Sequence, residues 1–224
     1  MRCRRIDAQD GPAWRALAAI YEEVFPEWER EPLEMMAERA ATGRYVVEIG
    51  ETDEGVVGFS LIDFESGPDH ALLAYLAVRG ALQGRGYGAA LCAQAVERFR
   101  EHDGPGWLFV EAEDRQALYY GRLGFSHLEF DYRIPHYDSA EAQPAHLLAL
   151  PRDPGVVRIP ARQLAEELKS IFIDGYFVDK DDPRLAAQLA RLEGVADIPL
   201  APWPRTDASE TDASQDASKD ADTP

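Results

Sequence analysis

The sequence predicts a mixed α/β domain with a mainly antiparallel sheet, followed by a C-terminal α-helical extension. Short apolar segments of strand type alternate with segments whose apolar residues recur every three or four positions. Two strand segments, 45–50 and 56–64, flank the turn Glu51-Thr-Asp-Glu-Gly55, which is typical of a β-hairpin. A length of 224 residues, 46% of them hydrophobic, fits one domain with an appendage.

The individual elements follow from these periods in chain order. The run 70–78 is apolar almost throughout, which predicts a strand buried on both faces. Pro26 ends the first helix, and Gly43 lies just past the second. The predicted strands are 2–7, 45–50, 56–64, 70–78, 107–113, 125–134 and 145–150. The predicted helices are 11–25, 32–41, 88–100, 118–123, 161–173 and 183–192.

The predicted order of elements and the composition divide the chain into a domain over 1–152, a helical extension over 153–198 and an acidic disordered tail over 199–224. From residue 205 onward the tail repeats an Asp-Ala pattern and contains no aromatic or large aliphatic residue, so we expect it to be disordered. This stretch holds −4 of the formal charge of −18, and the acidity therefore belongs mainly to the folded part.

The charge balance excludes some classes of partner. An excess of 41 acidic over 23 basic residues, without a run of Lys or Arg, argues against nucleic acid and against an anionic membrane. The charged N-terminus and the lack of a segment of about 20 apolar residues predict a cytoplasmic protein. Cys3 and Cys92 are too few for a disulfide framework or a metal site, and we expect two reduced thiols.

A glycine-rich turn, Gln83-Gly84-Arg85-Gly86-Tyr87-Gly88-Ala89, follows the strand that ends in Leu76-Ala77-Val78 and opens a helix. Its glycines let the backbone approach a ligand closely, and the free amides of the helix start favour an anion. A dinucleotide fold would have a third glycine where Ala89 stands, and an ATP-binding loop would contain Gly-Lys-Ser/Thr. From the residues alone, a phosphate site and a purely structural turn both remain open.

These residues resemble the motif of the GCN5-related N-acetyltransferases (GNAT), which is Gln/Arg-x-x-Gly-x-Gly/Ala after a strand ending in Leu-Ala-Val. Here Gln83, Gly86 and Gly88 occupy the motif positions. A second stretch, Tyr119-Tyr120-Gly121-Arg122-Leu123-Gly124-Phe125, is similar to the family pattern Phe/Tyr-Tyr-x-x-Leu-Gly-Phe. The resemblance covers about residues 2–152, and the predicted order of elements agrees with the GNAT fold.

The resemblance implies acetyl-CoA as cosubstrate, with no metal, and direct attack of a small-molecule primary amine on the thioester. Backbone amides of the turn would hold the pyrophosphate, with Arg85 as an aid, and the preceding strand would hold the pantetheine arm. Glu113 stands where many members have a cofactor-binding Asn, so we expect that contact to be lost. The implied cofactor-binding residues are Leu76, Ala77, Val78, Gln83, Gly84, Arg85, Gly86, Tyr87, Gly88 and Ala89.

Catalysis of amide formation requires protonation of the leaving thiolate and deprotonation of the amine. Tyr120 matches the tyrosine that protonates the thiolate in many members, whereas Tyr119 is predicted to be a core residue. At the two strand positions where some members carry a base, this chain has Leu72 and Ala74. Glu111 is therefore the first choice for the base, although a water chain remains an alternative. Weaker candidates are Glu113, His70 and Tyr75.

The acceptor side of the family fold lies under the connection between the first two helices and near the loop that follows the sixth strand. Candidate substrate-binding residues there are Trp28, Arg30, Tyr75, Arg133, His136 and Tyr137. The acidic body favours a cationic acceptor such as a polyamine, an amino sugar or an amino-acid derivative. Two alternatives stay open, a non-catalytic acyl-CoA-binding module and an acetyltransferase of a protein amine.

The extension must bury its apolar stripe, either against its own sheet or in a homodimer. We favour the same chain.

Overall fold

The computed structural model describes residues 1–203 of the chain. The strands are β1 (Arg2–Ile6), β2 (Tyr45–Thr52), β3 (Gly55–Asp63), β4 (His70–Val78), β5 (Trp107–Ala112), β6 (Ser126–Leu128), β7 (Tyr132–Pro135), β8 (Ala142–Pro151), β9 (Arg158–Pro160) and β10 (Asp197–Pro202). The helices are α1 (Gly11–Val24), α2 (Leu33–Thr42), α3 (Tyr87–Glu101), α4 (Asp114–Arg122), α5 (Ala161–Ser170) and α6 (Pro183–Ala190).

These strands form one sheet in the order β1-β2-β3-β4-β5-β8-β6-β10-β9, and β7 pairs with β8. Only β4 and β5 pair in parallel; the other pairs described within residues 1–203 are antiparallel. The predicted class, a mixed α/β fold with a mainly antiparallel sheet, is confirmed. No helix in this part of the chain has the length and apolar character needed to cross a bilayer.

Helices cover both faces of the sheet because successive strand residues point to opposite sides. On one face α3 and α4 bury Cys92, Phe99 and Tyr120 against the strands. On the other face α1 and α2 bury Leu17 and Met36 over β2 to β4. The extension covers the rest of this second face, where its buried residues pack on Phe109 and Leu147. Those extension residues are Leu164, Leu168, Ile171, Phe172 and Leu185.

Burial of the extension against its own sheet agrees with the favoured expectation. A further link is the fully buried His70 at the start of β4, whose Nδ1 lies 2.6 Å from Oε2 of Glu167 on α5. Its Nε2 lies 3.0 Å from the hydroxyl of Ser66. His70 therefore joins the extension to the sheet, and the prediction that it is a candidate base is wrong because it is enclosed by these partners.

Three expectations about elements are wrong. The predicted strand 125–134 is two strands, because the chain turns at Phe130, whose amide donates to the carbonyl of Leu128. The extension is not wholly helical, because β9 and β10 pair with each other and β10 pairs with β6. Residues 199–202, placed in the disordered tail, belong to β10. The rest of the predicted tail, 204–224, lies outside the described residues.

We expect Leu168→Ala to lower the free energy of unfolding by about 2–5 kcal/mol, because Leu168 is fully buried between α5 and the sheet. Urea denaturation should still show one transition, since the extension and the sheet share a core. Lys169→Ala, one residue further on the exposed face, should change stability by less than about 0.5 kcal/mol. A separate early transition for the extension would contradict a shared core.

Candidate active site

The site lies in a cleft of about 1260 Å³ that opens where β4 and β5 diverge. The two strands pair only at the start of β4, from His70 to Leu72. A bulge follows, because Leu61 and Ile62 of β3 face Tyr75 and Leu73 and leave Ala74 as the extra residue. Within residues 1–203, no ladder pair joins β4 to β5 beyond Leu72. The residues there include Leu76, Ala77 and Val78, and all three line the cleft.

The glycine-rich turn forms one end of this cleft. Gly84 and Gly86 adopt left-handed conformations with φ of 78° and 83°, which glycine adopts without steric cost. The amides of residues 84–89 donate to no acceptor within residues 1–203, and α3 has no side-chain cap at its start. Gln83 donates its side-chain amide to the carbonyl of Val78 at 3.3 Å, which ties the turn to the strand. The result is a row of free amides at a helix N-terminus, which suits an anion.

Nine of the ten predicted cofactor-binding residues line the cleft. The exception is Arg85, whose side chain is exposed outside it. Two arginines that sequence reasoning did not select, Arg115 and Arg122 on α4, do line the cleft. A Cβ on Gly88 would come 2.8 Å from the hydroxyl of Tyr119, so a larger residue at this position would displace the Tyr119 side chain.

Tyr120 lies on α4 at the wall of the same cleft. Its ring packs on Tyr119 and Phe125, with centroid distances of 5.3 and 5.6 Å. Its hydroxyl has no hydrogen-bond partner in the described part of the chain. Burial raises its pKa well above the usual tyrosine value, and the neighbouring Cys92 and Tyr119 raise this pKa further. The phenol therefore keeps its proton at neutral pH and is free to donate it into the cleft.

Glu111 projects from β5 into the cleft and is half-buried. Its Oε1 accepts a hydrogen bond from the hydroxyl of Tyr132, and its Oε2 accepts one at 2.8 Å from Tyr176. Burial raises the pKa of the carboxyl, whereas the two tyrosine hydroxyls act in the opposite direction. Glu111 therefore has the position expected of a group that receives a proton, but it is held more firmly than sequence reasoning indicated.

Three predicted acceptor residues, Trp28, Tyr75 and Tyr137, line the cleft beside Glu111. The hydroxyl of Tyr75 donates to the carbonyl of Glu29 at 3.0 Å. The amide of Tyr137 donates to the carbonyl of Trp28 at 3.1 Å. The connection between α1 and α2 is thereby fixed over the acceptor end.

The other predicted acceptor residues, Arg30, Arg133 and His136, lie outside the lining of the cleft. His136 stacks on Trp28 at a ring distance of 4.3 Å, and so supports a residue that does line the cleft. Arg133 donates to the carbonyl of Ala142 at 2.8 Å. The geometry does not support direct contact of these three side chains with an acceptor.

Residues 14–125 match the sequence model of the Acetyltransferase (GNAT) family, which is half of the chain. The chain belongs to the GNAT family of acetyltransferases. The motif around Gln83 lies within the segment that matches the GNAT model, and the motif 119–125 forms the end of this segment. No curated protein matches the sequence.

Solved structures of GNAT proteins share the fold. A GNAT-family protein from Bacteroides thetaiotaomicron aligns over 80% of this chain and 100% of its own, with a TM-score of 0.61 and 23% identity. An aminoglycoside 6′-N-acetyltransferase complexed with coenzyme A aligns over 70% of this chain and 99% of its own, with a TM-score of 0.54 and 13% identity. A ribosomal-protein-alanine N-acetyltransferase from Brucella melitensis aligns over 67% and 99%, with a TM-score of 0.52 and 20% identity. Because the second and third have different acceptors, the GNAT fold alone does not define the acceptor.

Sequence reasoning missed two residues at the acceptor end of this GNAT cleft. Glu29 lines the cleft, and its carboxylate has no partner among residues 1–203. Burial raises its pKa to about 7, and the negative charges of Glu113 and Glu111 add to this shift. Tyr176 belongs to the extension, where no motif pointed to a functional residue. The connection between the first two helices, which contains Glu29, was expected to lie over the acceptor side, so only the individual role of Glu29 was missed.

Proposed function

We propose that the chain transfers the acetyl group of acetyl-CoA to a primary amine of a small cationic molecule. The observation that carries this proposal is the composition of a single cleft. It joins the free amides of residues 84–89, the unpaired edge of β4 and the hydroxyl of Tyr120 at one side. Carboxylates occupy the acceptor side of the same cleft.

The cofactor side fits a polyanionic thioester. Free amides at the start of α3 bind an anion without a basic patch, which agrees with the net charge of −18. Arg115 and Arg122 add positive charge at the rim of the cleft. Beyond Leu72, the unpaired backbone of β4 offers donors and acceptors to an amide-containing arm such as pantetheine. Acetyl-CoA supplies the acetyl group as an activated thioester.

The side chains meet the needs of the transfer. An ammonium group loses one proton to Glu111, and the neutral nitrogen then attacks the thioester carbon. The new C–N bond forms as the C–S bond breaks, and the hydroxyl of Tyr120 gives its proton to the departing sulfur. Tyr120 regains a proton from the nitrogen through solvent, so that the net products are an amide, CoA and one proton. Alignment of the amine by the cleft accounts for part of the rate.

The acceptor end favours a cation. Glu29, Glu111 and Glu113 all line it, and none forms an ion pair with Lys or Arg within the described residues. The aromatic side chains of Trp28, Tyr75 and Tyr137 stand beside them, and such rings attract cations. A carboxylate end of this kind suits a polyamine or an amino sugar. The position of Tyr120 in the cleft favours an enzyme over a module that only binds acyl-CoA.

The function is tested by a panel of amines assayed for CoA release with acetyl-CoA. We expect activity with diamines, polyamines or amino sugars, and little with amino acids whose carboxylate would meet Glu29 and Glu111. Activity only with a peptide N-terminus would favour the protein-amine alternative. Cofactor binding without CoA release for any amine would favour the non-catalytic module.

Acetyl-CoA should raise the Tm of the purified protein, because a ligand that binds only the folded state stabilises it. At a concentration of about 100 times Kd, the expected gain in the free energy of unfolding is about 2.7 kcal/mol. Differential scanning fluorimetry with acetyl-CoA, CoA and adenosine tests this. No shift at millimolar acetyl-CoA would reject the assigned cofactor site.

A further inference from the structure

The carboxylate of Glu111 receives hydroxyl donors from two different parts of the chain. Tyr132 on β7 is fully buried and donates its hydroxyl to Oε1 of Glu111. Tyr176 lies beyond α5, in the extension, and donates to Oε2 at 2.8 Å. Both donors point at the group that we propose to receive the proton from the amine. Both donors lie beyond the segment that matches the GNAT family, which ends at residue 125, and Tyr176 lies as far away as the extension.

The segment that carries Tyr176 has an unusual backbone. A π-helical turn, Ile171–Gly175, follows α5. Phe177 then has φ of 57°, a left-handed conformation that is uncommon for an aromatic residue. Such conformations persist where the surrounding structure enforces them, and they are frequent at functional sites. The backbone here is bent so that the side chain of Tyr176 enters the cleft.

Contacts from two residues, Arg39 and Tyr137, hold this segment against the acceptor end. Arg39 of α2 donates to the carbonyl of Asp174 at 2.9 Å. The same guanidinium lies over the ring of Phe177, 5.0 Å from its centroid. Tyr137 donates its hydroxyl to the carbonyl of Gly175 at 3.2 Å, and its ring lies 4.8 Å from that of Tyr176. The segment is therefore connected both to α2 and to the acceptor wall.

We propose that Tyr176, supplied by the extension, is a positioning residue that orients Glu111 for the acceptor amine, and that residues 171–177 complete the acceptor end of the cleft. The proposal rests on the proposed function, because it assigns Glu111 the role of proton acceptor. It gives the extension a direct part in the site rather than a purely structural one.

The electrostatic consequence has a definite sign. A hydrogen bond to a carboxylate stabilises the charged form, so Tyr176 and Tyr132 lower the pKa that burial raises. Other titratable groups at this end of the cleft are Glu29, Glu113, Tyr75 and Tyr137. Removing the hydroxyl of Tyr176 raises the pKa of Glu111 further. A base of higher pKa is ionised only at higher pH, so activity is lost first on the acid side.

The test is the pH profile of kcat/KM for Tyr176→Phe with the best amine of the panel. We expect the acid limb to move up by about one to two pH units, the size of one lost hydrogen bond to a charged group. At the high-pH end the rate should return to near the wild-type value. If the acid limb of the Tyr176→Phe profile stays at the wild-type pH and the rate falls equally at every pH, the role of Tyr176 is merely structural and the proposal is overturned.

Two further variants separate the contributing groups. Tyr137→Phe removes a hydroxyl from the same cluster that does not bond to Glu111, and it should leave the acid limb in place whatever its effect on the rate. An equal displacement in Tyr137→Phe would overturn the specific role of Tyr176. In a Glu29→Gln background, where the neighbouring carboxylate no longer titrates, the displacement by Tyr176→Phe should persist. If it vanishes there, Glu29 and not Glu111 is the group that Tyr176 influences.

A second readout does not depend on activity. The titration of the Glu111 carboxyl, followed by ¹³C NMR in the free protein, should move to higher pH in Tyr176→Phe. Should that variant not fold, Tyr132→Phe removes the other donor and is expected to give a displacement of the same sign. A displaced titration in a protein that acetylates no amine would support the positioning while rejecting the proposed function. An undisplaced titration in an active enzyme would reject the positioning role of Tyr176 while supporting the proposed function.

Discussion

Replacing Tyr120 by Phe should lower kcat by about 100-fold, the lower range for loss of a general acid. The expected loss is this large because the hydroxyl of Tyr120 has no other partner in the described part of the chain and lines the cleft. Burial holds its pKa far above neutral, so the phenol is a proton donor at every pH of interest. Steady-state kinetics with saturating acetyl-CoA measures the change.

The neighbouring Tyr119→Phe provides a matched control. Within residues 1–203 its hydroxyl is buried without a hydrogen-bond partner, and it lies close to Gly88 in the glycine-rich turn. We expect a smaller effect on kcat there, because this hydroxyl is directed at the turn. Acetyl-CoA should stabilise Tyr120→Phe as much as the wild type. A loss of kcat in Tyr119→Phe as great as in Tyr120→Phe would contradict the assignment of the acid.

Replacing Gly86 by Ala should weaken acetyl-CoA binding by about tenfold or more. An L-residue in the left-handed conformation costs about 1–2 kcal/mol, and the chain relieves this cost by rotating the amides at the start of α3. An increase in Kd of tenfold corresponds to about 1.4 kcal/mol. Isothermal titration calorimetry with acetyl-CoA measures the change.

Gly43→Ala is the control for this substitution. Gly43 has a similar φ of 86°, and a Cβ there also meets nothing within 4 Å among residues 1–203, but it ends α2 away from the glycine-rich turn. Both variants should lose comparable conformational stability, and only Gly86→Ala should lose affinity. Equal affinities for acetyl-CoA in the two variants would show that the amides of the turn do not bind the cofactor.

The part of the cleft around the glycine-rich turn could be located from the sequence because its determinants are local. Two short motifs contain these determinants: one holds the glycines of the turn and the strand before it, and the other holds Tyr120. Within each motif, the spacing of the residues specifies their local geometry. Glu111 could be selected as the candidate base because an acid on β5 lies next to the strand that diverges from it, and so beside the cleft. The same local reasoning located β4 at its observed bounds, since the uninterrupted apolar run could only be a buried strand.

The acceptor half depends on contacts between segments far apart in sequence, which no local pattern records. Tyr176 reaches Glu111 across 65 positions, and only the packing of α5 on the sheet brings the two together. Arg133 and His136 were selected for their chemistry, but the Arg133 side chain donates to the carbonyl of Ala142 and His136 stacks on Trp28. Strand β9 was missed because three residues are too few to show an alternating pattern, and β10 was missed because its proline-rich sequence does not alternate between apolar and polar residues.

The central claim is tested most directly by following the acetyl group itself. The wild-type protein is incubated with acetyl-CoA bearing a deuterated acetyl group and with the best amine of the panel, and the products are identified by mass spectrometry. The account predicts that labelled N-acetyl product and free CoA form in equal amounts, and that Tyr120→Phe forms both about 100-fold more slowly. Release of CoA without acetylated amine, or no consumption of acetyl-CoA with any amine, would contradict it.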